Sequence, residues 1–278
     1  MGLIDFILNL AGLLLWLNWR AAKADPLDKA TPATLIGTLR RAEPGNLRRW
    51  QLPAVLAGLL LLRALFYWQI GSALKPVWAG TLDLGVIAPS FISSSFGHIL
   101  VFSIFSFARA FGILYLWLLL LSILGGPMPT HRFVKMQLGA IDAWPRWIKY
   151  LLPLVVIALL WWMASWVMAW LQIIPQPVSP ARRIEGALII ALGSCLVWKY
   201  LIAALLALHL LNSYIYFGRH PFWNYVNAAA KELLRPIQKI PLRAGRADFA
   251  PVAGIALTFL LAEVAGRVLV ILYRRLAL

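Results

Sequence analysis

Apolar residues run in long blocks along this chain, and polar residues gather between them. Six blocks stand out, at about Leu3–Leu17, Pro53–Gln69, Phe96–Leu124, Tyr150–Leu171, Ile184–Phe217 and Pro251–Leu272. A helix rises 1.5 Å per residue and must cross a hydrocarbon core of roughly 30 Å. Four blocks meet that length and Pro53–Gln69, at seventeen residues, stands at the lower end of the usual range of spans, so the pattern predicts an all-α membrane protein with about six transmembrane helices. The first block is the weakest: its fifteen residues give about 22 Å of helix, and Asn9 interrupts it. It is expected to tilt, to thin the bilayer or to insert only in part. The second block ends in Phe66, Tyr67 and Trp68, a cluster typical of a headgroup boundary. The third is longer than one crossing needs, and only the middle of the fifth need lie in the bilayer.

The connectors carry their own pattern. Pro53, Pro153 and Pro251 each open an apolar run, and Pro32, Pro129 and Pro221 each begin a connector helix candidate. A period near 100 residues predicts three repeated two-helix hairpins, at 1–70, 96–172 and 184–278, joined by linkers 71–95 and 173–183. Chance competes, because apolar runs look alike and prolines commonly start helices. Thr31 and Pro32 predict a short capped helix with Leu35, Ile36 and Leu39 on one face. The linker Ile70–Ser95 reads as loop, with VIAPSFI a candidate to dip into the interface.

Composition supports the membrane reading. Of 278 residues, 62% are hydrophobic and 13% charged, with mean hydropathy +0.80, where soluble domains carry about 25% charged residues. Net charge is +16. In a soluble chain that would suggest nucleic acid; here the bases sit in alternate connectors, so no nucleic-acid partner is expected. The three connectors within repeats hold seven, four and six bases, and the two between repeats hold one and two. The positive-inside bias then places the long connectors in the cytoplasm and both termini outside, as in a bacterial inner-membrane protein facing anionic headgroups. A first block that only enters the interface would change that parity. The N-terminus lacks a basic region before its apolar run, so it reads as a retained helix. Cys195 is alone in the chain, which excludes an intrachain disulfide and makes it a small buried residue.

The last connector is the richest. Pro221 to Ile237 places Phe222, Val226, Ala229, Leu233 and Ile237 at helical spacing, widened by Tyr225 and Ala230. The face suits a helix lying in the cytoplasmic interface, with Lys231, Arg235 and Lys239 reaching phosphates, or a helix packed on its own bundle, and the two are compatible. Asp248 stands three residues before Pro251 and is read as a cap for the last helix or a partner for Arg243 or Arg246. The residues Arg235, Pro241, Gly245, Asp248, Ala250 and Pro251 resemble, in order and in the spacing G-x-x-D-x-(S/A)-P of the last four, the connector motif of the YGGT family of bacterial and plastid membrane proteins. Asn212, Pro221 and Asn227 fit the helix end and connector before it. The resemblance covers 211–263; the first two units lack the Gly and Asp. It implies two-helix repeats and roles in osmotic tolerance, division or membrane-complex assembly, with no catalytic residues to carry over.

Arg63, Arg109, Lys199 and Glu263 fall near the middles of predicted helices. Charges there are costly and usually paired or lining a cavity. Lys199 with Glu263 is the expected pair; Arg63 is expected to snorkel toward the outer end; Arg267 reaches outward or competes for Glu263. Trp162, Trp166 and Trp170 form a stripe for lipid contact or helix packing, with Trp144 and Trp147 marking one belt. No phosphate loop, dinucleotide fingerprint, nucleophile elbow or zinc-protease motif occurs, and no cofactor or metal is expected. The expected function is a non-enzymatic membrane scaffold or assembly factor with an unidentified membrane-protein partner. The alternative is a small ion channel or transporter using Arg63, Arg109, Lys199 and Glu263.

Overall fold

A computed structural model describes residues 2–24, 51–74, 79–125, 130–175, 179–215, 221–236, 243–244 and 247–277. The helices are α1 (Gly2–Ala24), α2 (Gln51–Leu74), α3 (Phe96–Leu124), α4 (Thr130–Leu138), α5 (Arg146–Trp170), α6 (Pro180–Cys195), α7 (Trp198–Tyr214), α8 (Pro221–Leu234) and α9 (Ala250–Ala277). A 3-10 turn, Gly139–Ala143, joins α4 to α5. Among the described residues, six helical runs are long and apolar enough to cross a membrane: Gly2–Arg20, Pro53–Gly71, Phe96–Leu124, Arg146–Trp170, Pro180–Tyr214 and Ala250–Arg275. The chain therefore has the helices of a multi-pass membrane protein. The first run, at 19 residues, is longer than predicted. Helix-favouring Ala and Arg residues carry α1 past Leu17, and Asn9 is satisfied inside the protein, as described below. The helix expected at Thr31 lies outside the described residues.

The chain is not purely helical. Strands β1 (Ala79–Thr81) and β2 (Ser90–Ile92) pair, as do β3 (Arg243–Ala244) and β4 (Ala247–Asp248). The linker predicted as loop is thus a hairpin. Leu82 N donates to Pro89 O at 3.1 Å and Leu84 N to Ile87 O at 2.9 Å, closing a tight turn. Gly85 supplies its positive φ of 85°, and Asp83 Oδ1 accepts from Gly85 N at 2.8 Å. Only glycine adopts that backbone without strain.

Two compact units divide the chain. The first holds residues 1–80 and 91–111, the second 81–90 and 112–278, so α3 contributes to both. In the first unit, Gly12 lets α1 approach Phe107 of α3 and Leu56 of α2. Trp16 meets Phe111 edge-on at 5.0 Å.

In the second unit, Leu118 and Leu119 of α3 pack on Val134 and Leu138 of α4. Helix α8 buries Tyr225, Val226, Ala229, Ala230 and Leu234 against Leu205 and Leu206 of α7 and against Leu121 and Leu124 of α3. Of the two expectations for α8, packing on its own bundle holds. Its buried stripe is rotated from the predicted one, which leaves Phe222 exposed. It ends before Arg235 because the residue preceding Pro236 is disfavoured in helical backbone. Two side chains fasten the bundle to α3 carbonyls: Trp198 Nε1 donates to Leu116 O at 2.8 Å, and Tyr225 Oη to Leu121 O at 3.1 Å.

The fifth apolar block is two helices, not one. Ser194 Oγ donates back to Ile190 O at 2.9 Å, a bond that bends helices. Leu196, Val197, Lys199 and Tyr200 then each bond three residues back, so the chain passes from α6 to α7 in 3-10 geometry. The hairpin tip seats at the same place: Val86 fills the space where a Cβ on Gly193 would stand. Gly193→Leu should therefore lift the tip from α6. We expect about 1–3 kcal/mol of destabilisation, read as a lower unfolding midpoint in detergent, whereas Gly58→Ala, with open space at its Cβ inside α2, should not lower that midpoint.

Candidate functional site

Ionisable groups inside the apolar helices fall into separate clusters. The tightest surrounds Arg63, midway along α2 and only 1% exposed. Its Nη2 meets Asp5 Oδ1 at 2.5 Å and donates to Ser106 Oγ at 2.9 Å, while Nη1 donates to Asn9 Oδ1 at 2.9 Å. Tyr67 Oη donates to Asp5 Oδ1 at 2.8 Å, and Asn9 Nδ2 to Ser106 Oγ at 3.0 Å. The guanidinium also lies 5.3 Å from the Phe102 ring centroid. The snorkelling expected of Arg63 is corrected: a carboxylate and two neutral acceptors in the bundle replace the phosphate it would otherwise seek. Sequence reasoning missed Asp5 as the partner. The available signal was spacing, since Asp5 with Asn9 and Arg63 with Tyr67 are each one turn apart and share a face.

A second cluster was also missed. Lys149, near the start of α5 and 5% exposed, donates to Ser122 Oγ at 2.8 Å and Asp142 O at 2.6 Å. Ser122 donates to Asp142 Oδ1 at 2.6 Å. A serine beside a buried lysine suits acyl transfer when the lysine accepts the hydroxyl proton. Here the lysine is the donor and the proton of Ser122 goes to Asp142. The cluster is a clasp that ties the 3-10 turn to the ends of α3 and α5.

The structure brings together two residues of the motif region. Asn227 Oδ1 of α8 accepts from Asn212 Nδ2 of α7 at 3.3 Å and lies 2.8 Å from His209 Nδ1. Pro221 opens α8 and Pro251 is buried near the start of α9. Asp248 stands opposite Arg243 in the β3–β4 register, and Phe249 O accepts from Ala253 N at 3.0 Å at the start of α9. Pro241 and Gly245 lie outside the described residues.

The expected pairing of Lys199 with Glu263 is replaced. Arg267 Nε donates to Glu263 Oε1 at 2.9 Å along α9, one helical turn being an easier span than a crossing between helices. Lys199 lies 5.1 Å from the Tyr200 ring centroid and 6.0 Å from that of Phe259. Arg109 is half-buried in α3. The tryptophan stripe is outward: Trp166 and Trp170 are exposed, and Arg183 stacks over Trp166 at 3.8 Å.

One surface of the second unit combines aromatic and basic groups. Phe133, Trp144 and Trp147 are exposed on α4, the 3-10 turn and α5. Arg146 and Arg235 flank Glu232 of α8 at 4.0 and 3.9 Å, with side chains 70% and 77% exposed. Such exposed pairs contribute little stability, so the charge there remains available to a partner. No protein-family model, curated protein or solved structure matches this chain. The likeness at Arg235, Pro241, Gly245, Asp248, Ala250 and Pro251 therefore rests on those residues alone.

Two measurements test the clusters. Asp5→Asn should leave Arg63 buried without its counter-charge and cost about 3–5 kcal/mol, seen as a lower unfolding midpoint in detergent. Asp5→Leu with Arg63→Leu should recover most of that loss. Burial pushes the Tyr225 phenol up from 10.0 to about 12. The unfolded phenol ionises first, so this contribution to stability is intact below pH 10 and is lost as pH rises toward 12. Tyr225→Phe should remove that segment of the pH–stability curve.

Proposed function

We propose that the protein is a non-enzymatic membrane scaffold or assembly factor. Its working surface is the rim built by α4, the 3-10 turn, the start of α5 and α8. The observation that carries this reading is the exposure of Trp147, Arg146 and Arg235 together at one rim. Indole rings favour the headgroup zone, and cations there meet lipid phosphate. The positive-inside bias supports a cytoplasmic rim, and the family resemblance supports a bacterial inner membrane. Because α8 spends its apolar stripe on its own bundle, it does not lie free on the lipid. It is a fixed bracket presenting its polar edge to a membrane-protein partner. The YGGT-like run over 211–263 suggests osmotic tolerance, division or membrane-complex assembly as the setting. The repeated-hairpin architecture, with Asn212 and Asn227 joining helix to connector, belongs to the same proposal.

The second reading is a small ion channel or transporter. It draws on the tight turn between α6 and α7, which adjoins Lys199, and on Glu263 midway along α9. Discontinuous helices mark many transport sites.

Crosslinking and co-purification from native membranes should recover one stoichiometric partner. Arg146→Glu with Arg235→Glu and Trp147→Ala should reduce that recovery about ten-fold without moving the unfolding midpoint. Reconstituted vesicles should show no ion flux above empty ones. Flux that disappears in Lys199→Ala or Glu263→Ala would replace the scaffold reading with the channel.

A further inference from the structure

The Glu263–Arg267 pair sits in an unusual place. Glu263 lies midway along α9, within the membrane-crossing run Ala250–Arg275. Contacts fix the level within the unit. Tyr273 lies beside Gly186, Gly266 beside Leu196, and Phe259 meets Tyr200 edge-on. Glu263 and Arg267 are therefore level with the turn between α6 and α7. Yet their side chains are 62% and 76% exposed. The same face continues through Leu260, Val264 and Ile271, all exposed apolar residues at the three- and four-residue intervals of a helix seam.

Lipid alone is a poor cover for this face. Charges at mid-depth strongly disfavour contact with hydrocarbon. A long side chain can escape by reaching the headgroups, but helical side chains lean toward the helix N-terminus. For Arg267 that direction is back toward Glu263 and the middle of the span, and there its Nε donates. The pair uses Nε and Oε1 only. Both Nη groups and Oε2 have no partner among the described residues.

We propose that α9 self-associates along this seam, so that the chain is a twofold dimer in the membrane. Two copies in one membrane share an orientation, and the twofold axis lies along the membrane normal. Arg267 and Glu263 meet at one level on each copy, so facing seams align without a shift in register. Each copy then offers what the other lacks: Nη of Arg267 donates to Oε2 of the second copy's Glu263, giving a closed ring of two acids and two bases with no net charge. A second copy of this chain fits because the unused donors and acceptor are mutually complementary. The inference is independent of the scaffold reading.

The test is cysteine crosslinking of the full chain in native membranes. Cys195→Ala removes the native thiol, and Leu260→Cys places one on the seam. An oxidant should yield a covalent dimer, at least ten-fold more than from Leu160→Cys, a control exposed on α5. Adding Glu263→Leu with Arg267→Leu keeps the helix apolar and should cut the yield about ten-fold; Glu263→Arg with Arg267→Glu keeps complementarity and should restore it. Absence of the dimer, a yield equal to the control, or a yield unaffected by the leucine pair would overturn the proposal. So would a crosslink only to a different protein.

Discussion

Hydrocarbon offers no hydrogen bonds, so every charge and every freed backbone group within the spans must find its partner in protein. That constraint explains where the polar residues within the spans of this chain go. Arg63 is tolerated midway along α2 because Asp5, Asn9 and Ser106 converge on it from α1 and α3. The same groups give α1 a reason to stay beside α2. By apolar area alone its attachment is slight, since only 6% of its span is buried. A short, polar-punctuated helix becomes a stable member of the unit because leaving would strand both charges.

The constraint also separates the clusters by role. Around Lys149, three donors and acceptors close on one another at the end of the spans, which fixes the 3-10 turn and with it Trp144 and Trp147. Around Tyr225 and Trp198, side-chain donors reach α3 carbonyls and lock α8 and α7 in place. On α9 the accounts do not close within one chain: the carboxylate and guanidinium satisfy each other once and keep further capacity on an open face. Buried polar groups engaged from several elements hold shape; the exposed pair on α9, engaged once, points outward.

Much of the fold was legible in hydrophobic blocks. The bounds Phe96–Leu124 were read from the sequence as they stand in α3, because that run is mostly apolar and flanked by serines and glycines. The start of α8 at Pro221 was equally plain from proline's preference for a first helical turn. The split of the fifth block was not legible, since Gly193, Ser194 and the leucines after them look like ordinary helix. The bonds that mark it, from Ser194 Oγ to Ile190 O and the three-residue bonds after it, look like ordinary helix in sequence, and the contact made there by Val86 lies about a hundred residues away. The partners of Arg63 and Lys149 were hidden differently. Asp5 lies in the first turn of α1 and Asp142 in the 3-10 turn, and their role emerges only when the fold brings them to Arg63 and Lys149. For Glu263, the choice between Lys199 and Arg267 turned on side-chain reach, which block patterns do not encode.

The seat of Val86 on Gly193 has a consequence for synthesis. The hairpin leaves the ribosome well before the helix that receives its tip. At about 5–20 residues per second, the roughly hundred intervening residues take about 5–20 s to appear. During that interval the turn at Gly85 must hold its shape by its own bonds, from Leu84 to Ile87 and from Gly85 to Asp83. A self-closing turn keeps its backbone groups occupied while it waits. Weakening it would harm assembly at a stage when the finished fold does not yet exist, so the damage would register as lost yield of newly made protein.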